Sequence, residues 1–204
     1  MKQQVISSKR QLSATISTAA ASAAATSVKV SKARKTANTT DIPADLYKDV
    51  KYLLKSEPDE FSLDKLRSCS NETSIWDGIR NPQARNNLRL MKKDEMAYFY
   101  YSSNKKDTGI HGLVKVVSEE YFPDPSAVDA KHKYFDPKCT DPTKWSSVTI
   151  KFVHQLDSPV LLSDLKADSA LADMSLFKQS RLSVQTIKKS EAEHVFETYI
   201  KPNL

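Results

Sequence analysis

The chain has 204 residues, enough for one domain of ordinary size and an extension. It contains no run of the roughly 18 apolar residues that a membrane span requires, and two cysteines with four scattered histidines indicate neither a disulfide framework nor a metal site. The formal net charge is +6, yet residues 1–40 hold seven basic residues and no acidic one, which leaves 24 basic and 25 acidic residues in 41–204. Any nucleic-acid specificity must therefore come from a local site.

The first 46 residues are predicted to be a disordered tail. They are rich in Ser, Thr, Ala and Lys and contain no aromatic residue, so they cannot bury enough surface to offset their ordering entropy. The basic, acid-free composition of residues 1–40 fits a mitochondrial transit peptide, and the cluster Lys29, Lys32, Arg34 and Lys35 equally fits a nuclear address or a nucleic-acid-binding arm. A plain solvated linker is the third alternative.

The folded part is predicted to begin at residue 47 and to continue to residue 204. Residues 52–54 read as a first strand that ends before Pro58, and Ser62 is a plausible N-cap for a short helix. Residues 74–76 are extended. A helix is expected over 82–93, with Pro82 in its first turn.

The second half of this part is predicted to contain three more strands and a long loop. The strands are residues 96–101, 110–117 and 147–154, and in the first of them alternating aromatics should place one pair inward and the other outward. Residues 121–144 form the loop, and loops of such length are often functional. The closing helix is expected to have Ser190 as N-cap. These elements predict an α+β fold, a small, mostly antiparallel β-barrel with peripheral helices.

Residues 76–89, WDGIRNPQARNNLR, have the composition of a recognition site. Asn, Gln and Arg carry fixed donor and acceptor patterns that suit base edges and phosphates, and Trp76 offers a flat face for a stacked base. A capped polar helix start beside a buried Trp is the structural alternative. Asp77 is expected to act as a cap, or to orient Arg80 or Arg85, rather than to touch the ligand.

Six motifs then occur in a characteristic order along the chain. They are KSEPDEFS at 55–62, WDGIRNPQARNNLR at 76–89, FYYS at 99–102, GIHGL at 109–113, FDP at 135–137 and RLSVQ at 181–185. Together they resemble the EVE domain, a member of the PUA-like barrel group to which the YTH readers also belong. The resemblance covers about residues 51–200.

The resemblance implies a non-catalytic reader that holds a modified base in a barrel pocket, without a cofactor or metal. EVE domains are associated with modified cytosines in DNA, so DNA is favoured over RNA as partner; a nuclear location is favoured, and no membrane partner and a monomer are expected. The implied base-binding residues are Ser56, Trp76, Asn81, Arg85, Tyr101, Ser102 and Gln185. Tyr101 stands where relatives commonly have His.

Net affinity is expected to come from phosphate contacts, because extrusion of a base costs a few kcal/mol that stacking and edge contacts only balance. The predicted phosphate contacts are Arg80, Arg89, Lys92, Lys93, Lys105 and Lys106. Two alternatives stay open. One is a modified-RNA binder, and the other is an enzyme acting on a nucleobase, for which Glu57, Asp59 and Asp77 are the candidate carboxylates.

Overall fold

A computed structural model of the chain describes residues 43–102 and 106–204. The tail predicted for residues 1–46 therefore lies outside the described residues as far as residue 42. The described residues start with a short helix over Ala44–Lys48, which places Tyr47 fully inside the core.

Seven strands form one curled, mixed sheet that makes a half-barrel. They are β1 (Val50–Ser56), β2 (Thr73–Trp76), β3 (Met96–Tyr101), β4 (Gly109–Val116), β5 (Phe122–Pro123), β6 (Ser146–Leu161) and β7 (Val184–Thr186). The strand order is β2-β6-β4-β3-β1-β7, with β5 paired to β6. Only β1 and β3 run parallel among these pairs. The predicted mostly antiparallel barrel is confirmed.

The helices are short and lie around this sheet. They are α1 (Ala44–Lys48), α2 (Leu63–Ser68), α3 (Pro82–Leu90), α4 (Leu162–Ala167), α5 (Ser175–Lys178) and α6 (Lys189–Val195). A π-helical turn over Phe196–Ile200 extends α6, and single 3₁₀ turns lie at Ser70–Glu72, Pro125–Ala127, Pro142–Lys144, Ser169–Leu171 and Lys201–Asn203. Within the described ranges, no helix is long and apolar enough to cross a membrane.

Local hydrogen bonds explain where the helices begin. Ser62 Oγ accepts from the Lys65 N–H at 3.1 Å and so caps α2 as predicted. The prediction that Ser190 caps the last helix is wrong. The Glu191 carboxylate accepts from the Lys188 N–H at 3.0 Å, which starts α6 at Lys189 and places Ser190 inside it.

Two apolar clusters cover the two faces of the sheet. Tyr98 and Tyr100 belong to one cluster and Phe99 to the other, with Tyr101 packed against the second. The prediction that one aromatic pair faces away from the core is therefore wrong. Helix α6 packs on one face of the sheet and α2 and α3 on the other, so both faces of β3 are buried.

Candidate functional site

One side of the half-barrel carries a cleft of about 880 Å³. Its walls come from the end of β1, from β2 and the turn after it, from the loop between β5 and β6, and from the turn before β7. The lining residues are Lys55, Ser56, Glu57, Glu60, Phe61, Lys65, Ser74, Ile75, Trp76, Asp77, Gly78, Ile79, Ser102, His132, Lys133, Tyr134, Ser180, Arg181, Leu182 and Ser183. A volume in this range is typical of ligand pockets.

The turn after β2 needs a glycine. Gly78 has φ +75°, a left-handed conformation that other residues rarely adopt. A Cβ at this position would also lie 2.7 Å from Cε2 of Tyr134. The Tyr134 ring therefore packs directly over the Gly78 backbone and forms an aromatic wall of the cleft.

An ion pair holds this aromatic wall in place. Arg80 Nη1 lies 2.7 Å from the fully buried carboxylate of Asp124, which also accepts from the Gly78 N–H at 3.0 Å. Arg80 Nε donates to the Tyr134 carbonyl at 2.9 Å, and its Nη2 donates to Ser126 Oγ at 3.0 Å. Predicted as a phosphate contact, Arg80 in this structure instead joins the turn after β2 to the loop that carries Tyr134.

Three other predicted residues of the stretch 76–89 lie outside the cleft lining. Asn81 Oδ1 caps α3 by accepting from the N–H groups of Gln83 and Ala84, at 2.8 and 3.1 Å. Arg85 Nη1 donates to the Lys144 carbonyl at 3.1 Å. Arg89 Nε donates to Ser146 Oγ at 2.8 Å. In this conformation these side chains stabilise α3 and the loop before β6.

Ser56 and Ser102 meet at one end of the cleft. The Ser56 carbonyl accepts from the N–H of Ser102 at 3.0 Å and from its hydroxyl at 3.1 Å, and Ser56 Oγ donates to the Phe61 carbonyl at 2.6 Å. Tyr101 borders this end without lining it. Its hydroxyl accepts from the Leu63 N–H at 2.8 Å, and its ring lies 4.0 Å from that of His111.

Trp76 belongs to the core and also borders the cleft. It is 7% exposed, and it makes edge-to-face contacts with Phe61 and Phe99. Its Nε1–H is buried and has no hydrogen-bond acceptor among the described residues. The Trp76 ring therefore exposes only a small area on which a base could stack in this conformation.

Asp77 is a half-buried carboxylate in the cleft. The expectation that it orients Arg80 or Arg85 is wrong, because these arginines bind Asp124 and the Lys144 carbonyl instead. Burial raises the pKa of Asp77, and the nearby Asp124 carboxylate adds to this effect, while His132 and Arg80 oppose it. The carboxylate is thus held where its charge is poorly solvated.

Gln185 is buried and supports the cleft from below. Its Nε2 donates to the carbonyls of Gln179 and Leu182, at 2.8 and 3.2 Å. Gln179 directly precedes the turn whose residues 180–183 line the cleft, and Leu182 lies within that turn. Gln185 itself does not line the cleft. Its hydrogen bonds instead hold the turn before β7, which does.

The basic residues that line the cleft differ from those predicted to contact phosphate. Lys55 Nζ donates to the Ser180 carbonyl at 2.9 Å, and burial lowers its pKa to about 8. The other three are Lys65, Lys133 and Arg181, all exposed.

Of the predicted phosphate contacts that fall within 43–102 and 106–204, none lines this cleft. Lys92, Lys93 and Lys106 are all exposed, and Lys93 pairs with Glu119. Lys105 lies outside the described residues.

Sequence reasoning missed the aromatic wall of the cleft. Tyr134 and His132 lie in the long loop whose length marked it as a candidate functional segment, and nothing local to them indicated which side chains would face a pocket. Phe61 was also missed, although it lies within the KSEPDEFS motif, directly before Ser62. Among the described residues, no group of three potential metal ligands lies together.

Comparison with known proteins identifies the family. The family model of the EVE domain matches residues 51–198. Human thymocyte nuclear protein 1 is 38% identical over 162 residues, which are 71% of this chain and 71% of the human protein. The chicken protein of that name is 39% identical over 162 residues, 71% of this chain and 66% of the relative.

Solved structures share the fold. A hypothetical protein from Leishmania major is 39% identical, with a TM-score of 0.70 over 78% of this chain and 99% of that one. Human THYN1 in complex with DNA containing 5-methylcytosine is 36% identical, with a TM-score of 0.67 over 72% of this chain and 95% of that one. The motif order, the family match and these likenesses agree, and the chain therefore belongs to the EVE-domain family.

Proposed function

We propose that this protein is a non-catalytic DNA-binding protein that reads a modified cytosine in its cleft. The observation that carries the proposal is the cleft itself, which is large enough for a nucleobase and is lined by aromatic and basic side chains. The human relative crystallised with DNA containing 5-methylcytosine supports the choice of ligand.

The cleft offers the contacts that an extruded base requires. Flipping a base costs a few kcal/mol, and stacking on one aromatic ring returns about 1–3 kcal/mol. Tyr134 and Phe61 are the half-buried aromatic residues that line the cleft and provide such surface. Because these contributions nearly cancel, net affinity must come from phosphate contacts at the rim, and salt should weaken it strongly.

Arg181 and Lys65 are the proposed phosphate contacts at the rim. Both are exposed and line the cleft, so they can reach a backbone whose base enters it. Lys133 is exposed too but pairs with Glu60, and a phosphate would have to compete with this carboxylate. The basic residues of 1–40 add attraction that does not depend on sequence.

A nuclear location is part of the proposal. The vertebrate relatives are named as nuclear proteins, and Lys29, Lys32, Arg34 and Lys35 form a basic cluster of the kind that serves as a nuclear address. A fluorescent fusion of the full chain should accumulate in the nucleus, and replacement of the four residues by Gln should disperse it. Mitochondrial accumulation of the unmodified fusion would overturn this part of the proposal.

An enzyme acting on the base is the competing function. The cleft contains Lys55, with its pKa lowered to about 8 by burial, together with Asp77, so groups able to move protons are present. We propose that these groups bind and do not turn over. Mass spectrometry of modified oligonucleotides after incubation with the full chain should show unchanged masses, and a product whose formation is lost in Asp77→Asn would establish the enzyme.

The test of the reader compares two tyrosines of the same loop region. The full chain is titrated at two salt concentrations with matched oligonucleotides containing cytosine or 5-methylcytosine, single- and double-stranded, as DNA and as RNA. We expect tighter binding to 5-methylcytosine in DNA at both salt concentrations. Tyr134→Ala removes the aromatic wall and should abolish the preference, whereas Tyr121→Ala, an exposed tyrosine outside the cleft lining, should retain it.

The outcomes separate the alternatives. Equal binding to every oligonucleotide, abolished by salt, would overturn the reader and leave only the attraction of a basic chain to a polyanion. A preference that appears only in RNA would support the modified-RNA binder. A preference that survives Tyr134→Ala unchanged would show that the base is held outside this cleft.

A further inference from the structure

Asp77 is an acceptor in the cleft whose partners inside the protein are incomplete. It lines the cleft and is half-buried. Arg80, the nearest cation along the turn, donates to Asp124. Within the described residues, the Asp77 carboxylate accepts from its own backbone N–H. A carboxylate has about four acceptor positions, so this hydrogen bond leaves most of them available to water or to a ligand in the cleft.

A ligand edge that donates hydrogen bonds would complete this site. Cytosine presents an N4 amino donor on its Watson–Crick edge, whereas thymine and uracil present the O4 acceptor at the same place. An O4 atom beside Asp77 would bring two acceptors together in a partly desolvated cleft, which is unfavourable. The carboxylate therefore distinguishes cytosine from thymine by charge and hydrogen bonding rather than by shape.

The position of Tyr134 fits such a contact. Its ring packs over Gly78, the residue next to Asp77, so a base whose edge reaches Asp77 lies beside an aromatic surface. The raised pKa of Asp77, caused first by burial and then by the nearby Asp124 carboxylate, agrees with a charge that is poorly solvated in the free protein. The charged and titratable groups that act on it are Asp124, His132 and Arg80.

We propose that the Asp77 carboxylate reads the amino group of the extruded cytosine and makes the cleft selective for cytosine over thymine. This inference rests on the proposed function, because it assigns the edge contact within the same cleft. It separates two features of the ligand: the 5-methyl group is common to 5-methylcytosine and thymine, and only the Watson–Crick edge differs between them.

The experiment uses the full chain and four oligonucleotides of one sequence, whose central base is cytosine, 5-methylcytosine, uracil or thymine. Wild type should bind 5-methylcytosine about tenfold more tightly than thymine, as one good edge contact provides. Asp77→Asn should bind the two equally or prefer thymine, because an amide can donate to O4. Asp59→Asn is the matched control, an exposed Asp outside the cleft lining, and should keep the wild-type ratio.

Retention of the 5-methylcytosine-to-thymine ratio in Asp77→Asn, with a melting temperature no lower than that of wild type, would overturn the inference and leave the reader intact. If wild type binds all four oligonucleotides with equal affinity, the proposed function itself is overturned. A ratio that collapses equally in Asp59→Asn would also count against a specific contact at Asp77.

Discussion

Arg80 and Asp124 join two segments that are 44 residues apart in the chain, with Arg80 Nη1 2.7 Å from Asp124 Oδ2. The Asp124 carboxylate is fully buried, while the Arg80 side chain is 23% exposed. The same carboxylate accepts from the Gly78 N–H. This ion pair therefore couples the stability of the domain to the placement of the Tyr134 wall of the cleft.

Replacement of Arg80 by Ala should destabilise the protein strongly. Removing one partner leaves the buried Asp124 charge without its cation, and the loss should be about 3 kcal/mol in the free energy of unfolding. Chemical denaturation at neutral pH measures it. Lys178→Ala breaks an exposed pair with Asp173 and should cost less than about 1 kcal/mol; similar losses in both variants would contradict a buried ion pair.

Replacement of Gly78 by Ala should weaken both folding and base binding. The left-handed backbone costs a non-glycine residue about 1–2 kcal/mol, and the new Cβ would displace the Tyr134 ring. Denaturation and titration with 5-methylcytosine DNA measure the two effects. In the double variant with Tyr134→Ala the steric part should vanish, so the two stability losses should be less than additive; full additivity would show that the ring does not press on this turn.

Replacement of Asp77 by Asn should raise stability at neutral pH. The folded-state pKa of Asp77 lies above its ordinary value of 3.8, so wild type loses stability as the pH rises through the raised pKa. The variant carries no such charge and should exceed wild type at pH 7, with the difference shrinking below about pH 4. Thermal melts across this pH range measure it.

Asp136→Asn is the same chemical change as Asp77→Asn, but it should change the stability of the protein at neutral pH in the opposite direction. Hydrogen bonds from Trp145 Nε1 at 2.8 Å and Lys144 Nζ at 3.0 Å lower the pKa of Asp136 to about 2. Its contribution to stability is therefore present above the ordinary pKa of 3.8 and is lost as the pH falls toward about 2. Asp136→Asn should be less stable than wild type at pH 7, whereas Asp77→Asn should be more stable. A loss of stability at pH 7 in both variants would show that burial of the Asp77 charge has no energetic cost.

The fold could be predicted because its signals are local. The apolar run of β3 gave its bounds, and Ser62 and Pro82 marked helix starts through neighbours three or fewer residues away. The error at Ser190 has a local cause as well. The pairs Ser190–Glu193 and Lys188–Glu191 have the same three-residue spacing of a capping box. Spacing alone therefore does not show which pair starts the helix.

The site could be predicted only in part, because its contacts are between distant segments. Arg80 and Arg89 have the composition of phosphate contacts, yet their guanidinium groups bind acceptors 44 to 57 residues away along the chain. No pattern within 76–89 indicates those acceptors. Conversely, Tyr134 enters the cleft because Arg80 holds its carbonyl, and this relationship has no trace in the residues next to Tyr134.

Replacement of Arg181 by Ala should reduce the salt dependence of DNA binding. Arg181 is exposed at the cleft rim, and loss of one phosphate contact should lower the slope of log K against log salt by about 0.9 for duplex DNA. Affinity should fall for cytosine and 5-methylcytosine alike, because a phosphate contact carries no base information. Titration of the full chain at four salt concentrations measures both quantities.

Lys92→Ala is the comparison that decides where the phosphates lie. Lys92 is an exposed residue shortly after α3, predicted from sequence as a phosphate contact but outside the cleft lining. If DNA approaches over the cleft, Lys92→Ala should retain the wild-type slope while Arg181→Ala loses about one unit. The reverse result would place the DNA backbone near the end of α3 and contradict an approach over the cleft.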